Sequence, residues 1–91
     1  MSIEVTVNLD NLRVITLGKN QYIIKSDGAR IFQSYDTIIA IKEGKMVVLD
    51  KNDWDYSRTT GKYRNKFLNE NKETTEKKIE TGEYYLADLN K

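Results

Sequence analysis

Ile3, Val5, Val7 and Leu9 alternate with polar residues, the two-residue period of a strand that buries one face. Asp10-Asn11 then supplies a turn. Leu12 to Leu17 and Gln21 to Lys25 follow as two β-rich runs joined by Gly18-Lys19-Asn20, a spacing that predicts a hairpin. Ser26-Asp27-Gly28 is the next turn signal, with Gly28 able to take positive φ, and Arg30 to Gln33 reads as a further short strand. Thr37 to Ile41 is the most apolar run. Lys45 to Leu49 answers it across Glu43-Gly44, which predicts a second hairpin at the centre of a sheet.

The pattern changes after Leu49. Asp50-Lys51-Asn52-Asp53 carries turn residues, and Ser57 to Thr60 reads as a helix entrance. A helix is predicted from Thr60 to about Asn69, because Tyr63 and Phe67 share one face, Thr60 lies on the same stripe and Leu68 beside it. Asn69 to Lys78 alternates Glu and Lys without an apolar period and reads as loop or as a frayed extension of that helix. Ile79, Tyr84, Tyr85 and Leu86 restore apolar character around Thr81-Gly82. A final strand is the preferred reading there, and a short docking helix the alternative. The expected architecture is α+β: a small, mostly antiparallel sheet with one main helix packed on one face, a single domain over residues 1–91.

Composition narrows the chemistry. Cysteine and histidine are absent, which removes disulfides, thiolate nucleophiles, the usual zinc sites and the usual general base together. No nucleophile and base pair, metal set or cofactor motif replaces them, so a non-enzymatic protein without cofactor or metal is expected. Fifteen basic residues against fourteen acidic ones weigh against both a wholesale DNA mimic and a nucleic-acid coat protein. Met-Ser-Ile-Glu-Val at the start has neither the basic residues nor the apolar run of a signal peptide, and no window approaches the roughly 18 apolar residues of a membrane span. A cytoplasmic protein with no membrane partner is the expectation.

Candidate functional residues concentrate between Trp54 and Leu68. Ser57, Thr59 and Thr60 form a candidate anion site, since free N–H groups at a helix start, its dipole and the neighbouring Arg58 suit a phosphate. The competing reading is that one hydroxyl is simply the helix N-cap, worth about 1 kcal/mol. Trp54, Tyr56, Arg58, Lys62, Arg64 and Lys66 form the candidate partner-binding set. It also admits nucleic acid, because Lys62 and Lys66 lie one turn apart while Arg58 and Arg64 flank aromatic residues able to stack on bases. Against that stands a solvated basic face over a core of Tyr63 and Phe67. Asp50, Asn52, Asp53 and Asp55 hint at a divalent ion, but Trp54 and Asp55 occupy the fifth and sixth loop positions, where a calcium loop needs an oxygen donor and a glycine.

Six tyrosines and one tryptophan exceed what so small a core needs, which points to aromatic contact surface. Open sheet edges offer a second docking route, to a partner or another copy as a homodimer. Ser34-Tyr35-Asp36-Thr37-Ile38-Ile39-Ala40, then Trp54-Asp55-Tyr56-Ser57-Arg58-Thr59-Thr60, then Phe67-Leu68, resemble small phage and mobile-element proteins of unknown function. Those proteins share Ser-Tyr-x-Thr before an apolar pair and Ala, and later Ser-x-Thr-Thr before a basic helix ending in Phe-Leu. The resemblance covers the middle third, implies a phage origin and carries over no catalytic residue; the family pattern places a histidine where this chain has Tyr63 or its neighbours. By class-level analogy to anti-CRISPR proteins, the expected function is a phage-encoded inhibitor of a host defence protein acting by direct contact. The alternatives are a nucleic-acid-binding accessory protein that uses the basic helix, and a self-assembling structural phage protein.

Overall fold

The computed structural model describes residues 12–90, so the strand expected at Ile3 to Leu9 lies outside the described residues. The chain then runs as a β meander: β1 (Arg13–Gly18), β2 (Gln21–Ser26), β3 (Ala29–Ser34), β4 (Thr37–Glu43) and β5 (Met46–Asp50), each antiparallel to the last. The turns explain the economy of this path. Asp27 and Gly28 both take positive φ, at 35° and 84°, which gives the β2–β3 turn a twist that matches its strands. Gly44 serves β4–β5 in the same way at φ 60°.

After β5 the chain leaves the sheet, forms α1 (Arg58–Leu68) and α2 (Lys72–Glu80), and returns as β6 (Tyr85–Ala87), parallel to β5. The fold is α+β with a mostly antiparallel sheet, and it has two helices where the sequence pattern predicted one. Asn69 separates them. It takes φ 55° as the left-handed C-cap of α1 and donates its N–H to the carbonyls of Asn65 and Lys66. Asn71 then caps α2 by accepting the Thr74 N–H at 2.9 Å.

An apolar stripe does not anchor α2, which is why periodicity missed it. Its anchor is the Glu70 carboxylate, which accepts from the Thr75 hydroxyl at 2.6 Å, the Lys78 ammonium at 2.9 Å and the Tyr84 hydroxyl at 2.8 Å. Burial pushes the Glu70 carboxyl up, but the hydrogen bonds from Lys78, Thr75 and Tyr84 outweigh it and hold the group below its ordinary value. Thr75 is fully buried, and Ile79 one turn on packs against the core.

The core lies between the helices and one face of the sheet. Phe32 stacks on Phe67 at 5.8 Å, with Ile39, Ala40, Val47, Leu49, Leu68 and Tyr84 around them. Ile39 joins this face because β3 and β4 slip register between Phe32 and Gln33. Gly18 lets α1 approach β1, since a Cβ there would collide with the Tyr63 hydroxyl. On the opposite face the registers line up Val14, Ile24, Ile31, Ile41, Val48 and Tyr85 as one row across all six strands. Gln21 is a local conflict: its carboxamide is fully buried beside Ser34 and has no hydrogen-bond partner.

Candidate functional site

Ser57 is the N-cap of α1. Its extended backbone brings the side-chain oxygen to the Thr60 N–H at 3.1 Å, and its hydroxyl donates to Thr60 Oγ1 at 3.2 Å. Thr60 is fully buried and shares a second hydrogen bond, 3.1 Å, with the Ser34 hydroxyl on β3. Two of the three hydroxyls in the candidate anion set are therefore committed to a chain that ties the helix start to the sheet. Thr59 is exposed.

That chain floors a cleft of about 320 Å³. Ser34, Tyr35, Thr37 and Ile39 form one wall, and Tyr56, Ser57, Thr59 and Thr60 form the other. Ser-Tyr-x-Thr and Ser-x-Thr-Thr, separated by nineteen residues of strand and turn, thus meet face to face. The mouth is aromatic: Tyr35 and Tyr56 are 54% and 71% exposed. Tyr35 holds φ 56°, a left-handed conformation costly for a bulky side chain. Two hydrogen bonds lock it there, its N–H to Asn20 O and Gln33 Nε2 to its carbonyl, each 2.7 Å.

The basic residues of α1 divide. Arg64, expected on the exposed face, is buried to 1%. One terminal guanidinium nitrogen donates to Trp54 O at 2.9 Å and Asp55 Oδ1 at 3.0 Å, the second to Asn65 Oδ1 at 2.9 Å, while buried Nε has no partner among the described residues, and the group lies 5.1 Å from the Trp54 ring centroid. Arg64 and Trp54 therefore brace the segment before the helix, and a partner cannot reach Arg64. Lys62 and Lys66 are exposed but straddle the Tyr63 ring at 5.6 and 5.2 Å. Arg58, Lys62 and Lys72 line a shallow groove on the other flank of the helix start.

Asp50 at the end of β5 and Asp55 beyond it are likewise spent on structure. Asp50 accepts from the backbone N–H groups of Asn52, Asp53 and Leu89 at 3.2, 2.8 and 2.8 Å. Burial raises its pKa, yet these backbone bonds, with the nearby Asn90 side chain, hold it below the ordinary carboxylate value. Asp55 sits between Arg64 at 3.0 Å and Lys72 at 2.6 Å, so it too is lowered against the opposing effect of burial. No group of three or more potential ligands with metal-binding geometry occurs among the described residues, and no helix there is long and apolar enough to cross a membrane.

Residues 5–83 match the sequence profile described as "Family of unknown function (DUF8033)". The chain belongs to this family. No curated protein and no solved structure matches it. In this DUF8033 member, then, the geometry is the main guide to function. Ser34, Tyr35 and Thr37 complete a site that the helix alone does not make. The Ser-Tyr-x-Thr motif was the signal for them, and only the β3–β4 turn shows that it opposes the helix cap.

Proposed function

We propose that this DUF8033 protein is a non-enzymatic, phage-encoded inhibitor that binds a host defence protein in the cytoplasm by direct contact at the cleft. The observation that carries the reading is the convergence of Ser34–Thr37 and Ser57–Thr60, the two motifs that resemble those of small phage proteins, on one cleft, with exposed Tyr35 and Tyr56 at its mouth. Tyrosine at a rigid rim supplies contact area at low entropic cost, a property of binding hot spots. The two-residue β3–β4 turn, which sets Tyr35 at positive φ, holds that ring at the cleft mouth. Arg58 and Lys62 beside the helix start add a charged flank, and Lys66 is exposed farther along the same helix.

The test is phage plating on strains that each carry one defence system, CRISPR among them. Expression of the chain raises plating on at least one strain, and Tyr35→Ala with Tyr56→Ala returns it to the level of the empty vector. Unchanged plating on every strain would reject the reading.

A further inference from the structure

The strand registers assemble something that the linear sequence hides. Arg13 pairs with Lys25, Lys25 with Arg30, and Arg30 with Lys42, so four basic residues stand side by side across β1, β2, β3 and β4. Register partners share a face, and each of the four is two residues from one on the helix side: Ile15, Ile23, Phe32 and Ala40. The row lies at the end of that face away from the cleft, since Lys25 is four residues along β2 from Gln21, the partner of cleft residue Ser34. With strands about 4.8 Å apart, three steps spread the cations over about 14 Å.

Like charges directly opposite one another destabilise a sheet, so such a row calls for counter-charge. Among the described residues none of the four is within ion-pair distance of a carboxylate. Glu43 follows Lys42 and points to the other face, and Asp27 sits on the β2–β3 turn without pairing. Arg13 and Arg30 are exposed, and Lys25 and Lys42 are half-buried. We propose that this cross-strand row binds the phosphodiester backbone of nucleic acid, as a second surface independent of the cleft.

Regular spacing favours that ligand over an acidic protein. A phosphate backbone repeats its charges at fixed intervals, and arginine forks match phosphate oxygens in pairs. A protein interface needs an apolar or aromatic anchor at its centre; the row ends on buried Val47, and the exposed apolar side chain beside it, Ile15, stands at its β1 end rather than its centre. Binding is then electrostatic and indifferent to base sequence.

The experiment is fluorescence anisotropy with a short labelled single strand, the same sequence as a duplex, and poly-glutamate as the acidic-protein arm. If all four cations engage, affinity falls with salt at a logarithmic slope of about −3.6 for duplex or about −2.8 for single strand. Lys25→Gln with Arg30→Gln halves that slope, and its unfolding midpoint stays level or rises because like-charge neighbours are removed. The preferred strandedness identifies the natural form. No binding to either nucleic acid at about 50 mM salt, an unchanged slope in the double variant, stronger binding to poly-glutamate, or a lowered midpoint would each overturn the proposal.

Discussion

Arg58, Lys62, Arg64 and Lys66 are crowded onto one helix, whereas Arg13, Lys25, Arg30 and Lys42 are spread over four strands. Crowding in sequence made the helix set look like the binding surface. In the fold, Arg64 is consumed by Trp54, Asp55 and Asn65, while Lys62 and Lys66 lie against Tyr63. The strand set does the reverse. Its members are far apart in the chain and unpaired among the described residues, yet registers place them in one row. The difference teaches that a cation's availability depends on what its own element packs against, and sequence density does not report that.

The largest effect tests whether the helix cations are structural. Arg64→Ala removes a buried charge that braces the segment before α1, and chemical denaturation should show a loss of about 3 kcal/mol. Arg30→Gln, on the strand row, should cost nothing or stabilise slightly. Equal losses at the two positions would erase the distinction between the sets.

Next in size is acid sensitivity. Asp50, Asp55 and Glu70 all titrate below their ordinary values of 3.8, 3.8 and 4.5, so each unfolded carboxyl binds its proton more readily than the folded one. The stability they contribute is complete above those ordinary values and is lost as pH falls through the lowered ones. At the other extreme, burial and Glu70 raise Tyr84, and the Glu70 hydrogen bond raises Lys78. Their contribution holds below about pH 10 and disappears as the pH climbs through the raised values. Asp55→Asn should flatten the acid limb measured by denaturation against pH, and Lys25→Gln should leave it in place.

Much of this was legible beforehand. Asp27-Gly28 and Glu43-Gly44 marked the hairpins because few other residues accept the backbone such turns require. Phe67 was legible as an anchor of α1 because it shares a helical face with Tyr63 and Thr60, with Leu68 beside it. The second helix was not, since Glu70, Thr75, Lys78 and Tyr84 hold it through a buried hydrogen-bond network that has no hydrophobic period. The final strand was expected, but its parallel pairing with β5 depends on where two helices return the chain. Of the candidate site, a hydroxyl cap among Ser57, Thr59 and Thr60 and a contact role for Tyr56 were readable locally, but not that Ser57 is the one that caps. The opposing wall at Ser34, Tyr35 and Thr37 and the strand row both depend on tertiary register.

Smaller effects sharpen the contrast between the exposed cleft rim and the packed interior. Tyr35→Asn relieves the left-handed backbone and should raise stability by about 1 kcal/mol in thermal unfolding, while phage plating falls to the vector level. Gln21→Met replaces an unpartnered buried carboxamide and should also stabilise by about 1 kcal/mol, with plating unchanged. A Tyr35→Asn protein that kept full inhibition would separate the cleft rim from function.

Salt dependence decides between the two sets of cations most directly. Nucleic-acid affinity would be measured across ionic strength for the parent chain, for Lys25→Gln with Arg30→Gln, and for Lys62→Gln with Lys66→Gln. The strand variant should lose about half of the salt slope and the helix variant almost none. A slope that falls in the helix variant and holds in the strand variant would contradict the account and return the basic helix to the role its sequence suggested.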